Sequence, residues 1–134
     1  MKVSLLLTLA AVYGIVFGLL LLLLPDVVIS GVFGASTIPP DALRALIGNL
    51  RGYGGVLIGV AVINWFARNS EANQARDAIL LGMFIGFLAL TLTGILRIFG
   101  GPPAIGGIVT LVVNALLAIA FGAVGKANMS TAKK

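Results

Sequence analysis

The reactive inventory of this chain is small: nine basic residues, four carboxylates, no histidine and no cysteine in 134 residues. Without cysteine there is no disulfide, thiolate nucleophile or thiolate metal site. Without histidine the commonest general base at neutral pH and most zinc sites are missing as well. The carboxylates Asp26, Asp41, Glu71 and Asp77 all fall where loops or helix ends are expected. The residues therefore point to a non-enzymatic protein with no metal and no cofactor. What remains for chemistry is three arginines inside or at the edge of apolar stretches, Arg44, Arg51 and Arg97, with Asn49, Tyr53 and Asn114 as nearby polar groups.

An arginine in the middle of a membrane-spanning helix costs about 2.5–3.5 kcal/mol on insertion scales, so Arg51 is the residue that most needs a partner. Counted at ~1.5 Å per residue from the next polar loop, Arg51 lies ~25 Å and Arg97 ~32 Å from one surface. Three readings compete. The side chains snorkel to phosphates; or Arg51 pairs with Asp26 or Asp41; or Arg51 and Arg97 form a fork for an anion or headgroup, with Arg44, Asn49, Tyr53 and Thr93 close by. Asn114 is expected to make an interhelical hydrogen bond, and Tyr13 is placed to join either network.

The elements that must position these groups are apolar. Of the residues 60% are hydrophobic and 10% charged, against about 25% charged in soluble domains. As a water-soluble fold the chain would expose aggregation-prone patches, so lipid is the expected solvent. The whole chain, 1–134, reads as one domain with four spans, about 3–24, 42–67, 78–99 and 105–125. The first run extends ~33 Å at ~1.5 Å per residue, and it exceeds a signal-peptide core, so it is expected to be retained. A short interfacial segment is expected over 27–33. Pro39-Pro40 should place Asp41 at the N-cap of the second span. Arg68 to Asp77 forms a polar loop, and the segment from Lys126 is expected to fray.

Glycines recur four apart: Gly14 and Gly18; Gly48 and Gly52, then Gly55 and Gly59; Gly82 and Gly86. Such pairs let helix backbones approach closely in lipid. They are the candidate helix-packing positions, whether the partner is another span or a second copy. Lys2, Arg68, Arg76, Lys126, Lys133 and Lys134 fall on one side, and Arg44, Arg51 and Arg97 on the other. The positive-inside rule then places both termini in the cytoplasm, with the chain in the inner membrane. The net charge of +5 follows this distribution and forms no nucleic-acid-binding patch.

Small multidrug exporters require a membrane-embedded acid in the first helix, and proton pumps require carboxylates at depth; neither is present. Three stretches do carry a likeness: L-L-L-L-P-D-V-V-I-S-G-V-F-G (Leu21 to Gly34), L-R-G-Y-G-G-V-L-I-G (Leu50 to Gly59) and G-I-L-R-I-F-G-G (Gly94 to Gly101). Their order resembles uncharacterised bacterial four-helix membrane families near DoxX. That resemblance implies an antiparallel four-helix bundle with Arg51 and Arg97 near one mouth, and it implies no activity.

The expectation is thus an all-α, integral membrane, antiparallel four-helix bundle. It should act as an accessory or structural subunit through helix contacts with itself or with other membrane subunits. The alternative is a binder or carrier of a small anionic or amphipathic ligand, such as a lipid headgroup or quinone, at the outer mouth. A third reading is an enzyme subunit that contributes a quinone or lipid pocket.

Overall fold

The structure, a computed structural model, describes residues 2–33, 39–99 and 105–131. Within them every regular element is helical. Helix α1 is Val3–Leu23; α2 is Pro25–Val28 and runs into a π-helical turn, Ile29–Phe33; α3 is Pro40–Ala67, α4 is Gln74–Phe99 and α5 is Ile105–Thr131. Four of these, α1, α3, α4 and α5, are long and apolar enough to cross a membrane.

Local chemistry sets the boundaries. Leu24 leaves helical geometry, at φ −128° and ψ 50°, because the following proline disfavours the α conformation. Pro25 then opens α2 at its first turn, where a missing N–H costs nothing. Pro40 does the same for α3, so Asp41 sits in the first turn and not at the N-cap, and no side chain caps this helix. Asp41 still places negative charge at the helix N-terminus, where the backbone dipole favours it. Helix α4 begins earlier than the apolar run alone indicates, because Asn73 caps it by accepting the Arg76 backbone N–H at 2.9 Å. Helix α5 continues past Lys126 to Thr131, where the sequence suggested a frayed tail.

The long helices form two close pairs. As α1 advances from Gly14 to Gly18, its neighbours on α3 step back from Ala61 to Ile58 and Gly54. A Cβ on Gly54 would come within 2.6 Å of the Gly18 carbonyl oxygen, so this crossing admits only glycine. In the other pair, Gly94 of α4 meets the Leu111 side chain and Gly122 of α5 meets the Phe84 ring.

Between the pairs the filling is large side chains. Leu6, Leu7, Leu80, Phe87 and Phe121 are buried in one cluster, which Ala67 closes at the end of α3. The Phe87 ring stacks on Phe121 with centroids 5.7 Å apart, and Tyr13 leans on Phe87 at 6.1 Å. This cluster occupies the end of the molecule near Lys2 and the α3–α4 loop. The 25–33 segment folds over the opposite end. There Gly106, at the start of α5, lies against the Gly31 carbonyl so closely that a Cβ would clash.

Candidate functional site

The space between the two helix pairs holds the aromatic cluster at one end and a hollow at the other, while a separate hollow of about 320 Å³ opens along α4 and α5 beside that cluster, at Leu80, Phe84, Phe121 and Gly122. The hollow between the pairs is a cavity of about 310 Å³, within the small end of the ~300–1,000 Å³ typical of small-molecule sites. Every element contributes to its wall: Tyr13, Phe17 and Leu21 from α1, Val28 and Val32 from the folded-over segment, Leu50, Tyr53 and Leu57 from α3, Leu90 and Thr93 from α4, and Thr110 and Asn114 from α5.

The boundary between filled and hollow space is a hydrogen bond. The Tyr13 hydroxyl donates to Asn114 Oδ1 at 3.2 Å, which joins α1 to α5. The Tyr13 ring is held on both sides, stacked on Phe17 at 5.7 Å and tilted against Phe87. Asn114 is only 4% exposed, yet it lines the cavity. Its carboxamide offers two N–H donors besides the acceptor that Tyr13 uses. Among the described residues none of these donors has a partner, so the cavity floor presents unused donors. The two threonine hydroxyls are committed to their own helices, Thr93 to the Ala89 carbonyl and Thr110 to the Gly106 carbonyl.

The opening lies between α3 and α4. Tyr53, Leu90 and Thr93 are the exposed members of the lining, and Tyr53 is 63% exposed. At ~100° per residue, Gly86 falls on the same stripe of α4 as Met83, Leu90 and Thr93, and a Cβ there would meet nothing within 4 Å. Below the opening α3 and α4 are tied together where Asn64 Nδ2 contacts the Met83 sulfur at 3.3 Å. Asn64 is 1% exposed, and its Oδ1 has no hydrogen bond among the described residues.

The residues singled out from the sequence divide. Of Arg51, Arg97, Arg44, Asn49 and Tyr53, the cavity includes Tyr53. Arg44 and Arg51 are exposed on other sides of α3, and Asn49, one turn before Tyr53, is exposed outside the lining. Among the described residues no ion pair joins Arg51 to Asp26 or Asp41. Arg97 lies in α4, and its side chain is outside the described ones. The expected fork of Arg51 and Arg97 thus involves a side chain outside the described ones. Asn114 does make an interhelical bond, with Tyr13.

The glycines divide too. Gly14 and Gly18 sit in the α1–α3 crossing, whereas Cβ atoms at Gly48, Gly52, Gly55, Gly59, Gly82 and Gly86 would have nothing within 4 Å. The physical reason is rotational. The strip Gly48–Gly59 lies roughly 130° round α3 from Gly54, the glycine that α1 does meet. Sequence reading missed Gly54, Phe17, Leu21, Val28 and Asn64. Gly54 is hidden because it belongs to no glycine pair four apart.

Fold and site together define an all-helical chain in which four long apolar helices surround a mostly apolar cavity with a donor at its floor. Comparison with protein-family models, with curated proteins and with solved structures returned no match.

Proposed function

We propose that this chain is a four-span integral membrane protein, an antiparallel four-helix bundle with both termini cytoplasmic, that binds a small amphipathic molecule between its helices. The observation that carries this reading is the 310 Å³ cavity, walled by apolar side chains and floored by the polar Tyr13–Asn114 pair. Few convergent polar groups in an otherwise apolar hollow is the usual composition of a small-molecule site. The likeness to the families near DoxX rests on its three short motifs alone and adds the bundle architecture, not the ligand.

The test is native mass spectrometry of the full chain released from nonionic detergent, with and without Thr93→Trp. Thr93 is exposed at the cavity wall, so the indole fills the hollow at little cost to folding. A small molecule retained by the wild type and lost from the variant is the expected result. Equal spectra, with no adduct from either protein, would overturn the reading.

A second reading, an accessory subunit working through helix contacts, is favoured by the outward glycine strip at Gly48, Gly52, Gly55 and Gly59. It predicts that Gly55→Leu lowers assembly in detergent without lowering the thermal midpoint of the single chain.

A further inference from the structure

We infer that the cavity selects an uncharged, single-tailed amphiphile whose head carries a carbonyl-type hydrogen-bond acceptor, with the head on Asn114 and the tail leaving sideways between α3 and α4. This rests on the ligand-binding reading above and narrows it to a chemical class.

Head polarity follows from the floor. Asn114 is 96% buried (4% exposed), its Oδ1 accepts from Tyr13, and its two amide N–H groups face a hollow with no protein partner among the described residues. An unpaired amide N–H on the wall of a mostly apolar hollow favours a ligand that brings an acceptor to it. An ester, ketone or amide carbonyl matches it. A hydroxyl matches it less well, because besides accepting it must place its own proton on a wall oxygen that already takes part in a hydrogen bond, Asn114 Oδ1 or a threonine hydroxyl.

Head charge follows from the wall. Among the described residues no charged side chain lines the cavity. A carboxylate at Asn114 would be desolvated with no cation beside it among the described residues. The Arg97 backbone lies further along α4 toward the opposite end of the cavity: pairing of Gly94 with Leu111 and of Phe84 with Gly122 sets Asn114 beside residues 91–92, roughly 9 Å below Arg97 at ~1.5 Å per residue.

The tail's route follows from the opening. The exposed lining residues are Tyr53 on α3 and Leu90 and Thr93 on α4, and bare Gly86 keeps the α4 edge of the gap low. The gap ends at the Asn64–Met83 contact. A chain leaving there passes directly among the acyl chains of the surrounding bilayer.

The experiment compares three probes of closely similar length on the full chain in nonionic detergent: methyl decanoate, decanoate and undecane, by competition in native mass spectrometry. Wild type should hold the ester about ten-fold more tightly than the alkane and in preference to the anion. Asn114→Leu, nearly the same in volume, should bring the ester down to the alkane. Gly86→Leu should slow uptake of ester and alkane alike while leaving their affinity ratio unchanged, and it protects the test should Asn114→Leu fold poorly. Equal binding of ester and alkane by wild type would overturn the class and leave the cavity reading standing. Preference for decanoate, lost in Arg97→Gln, would overturn it in favour of an anion site at the other end. Binding of none of the three would sink this inference together with the ligand-binding reading.

Discussion

The two halves of the space between the helix pairs share the same four backbones and differ in what those backbones present. Toward Lys2, α1, α4 and α5 point Leu6, Leu7, Leu80, Phe87 and Phe121 inward, and the space is full. Beyond the Tyr13–Asn114 bond, α4 and α5 present Leu90, Thr93 and Thr110, and the space is empty. The side chains offered to the space differ in volume between the two halves. In the proposed membrane setting no hydrophobic force drives one helix against another, so dispersion contacts carry most of the cohesion. A chain that forfeits them over half its interior gains a cavity and loses stability there.

The largest effect should come from emptying the full half. Phe121→Ala removes a wholly buried ring that stacks on Phe87, and it should cost about 3–5 kcal/mol. Leu90→Ala, on the cavity wall, should cost under about 1 kcal/mol, because one side of that leucine already faces empty space. Denaturant titration of the protein in micelles measures both. Similar losses would mean that the halves are packed alike.

Next in size is the contrast between two glycines two residues apart on α3. Gly54→Leu drives a side chain into the Gly18 backbone and should destabilise by about 1–3 kcal/mol. Gly52→Leu meets open space and should stay within about 0.5 kcal/mol of wild type. If the two behave alike in the same titration, α1 does not cross α3 at Gly54.

How much of this could be read from the residues depends on which kind of signal each feature leaves. Four long apolar helices follow from run length and composition, and the breaks at Pro25 and Pro39-Pro40 follow from backbone sterics. Asn114 stands out as a polar residue at depth, and its bond to Tyr13 lies within what those two residues suggest. The rotational setting of α3 left no such signal. Gly48, Gly52, Gly55 and Gly59 make a flat strip that outcompetes the lone Gly54 in any count of spacings, yet α1 packs on Gly54. Which of two small faces meets a neighbour is decided by the whole arrangement of helices, not by one helix's pattern. The cavity was hidden for the same reason. Its wall draws single residues from every element, and most of them, Phe17, Leu21, Val28 and Leu57 among them, are ordinary apolar positions. The arginines drew attention because buried charge is costly; Arg44 and Arg51 lie on the outer surface of the helices, away from the space between them.

The smallest expected effect falls on the boundary between the halves. Tyr13→Phe keeps the ring that stacks on Phe17 and leans on Phe87, and deletes only the hydroxyl that donates to Asn114. The stability loss should be about 0.5–1.5 kcal/mol, the net worth of one neutral hydrogen bond. Selectivity should change more tellingly than stability. With the tyrosine hydroxyl gone, both lone pairs of Asn114 Oδ1 are free beside its two donors, so the floor takes an alcohol's proton more readily than in wild type. Decanol should therefore gain on methyl decanoate by several-fold in competition, while Phe121→Ala, which leaves the floor's polar atoms in place, should not shift that ratio. A Tyr13→Phe protein with unchanged midpoint and unchanged alcohol-to-ester ratio would show that the hydroxyl does not hold Asn114, and that the division between full and hollow space is set by ring volume alone.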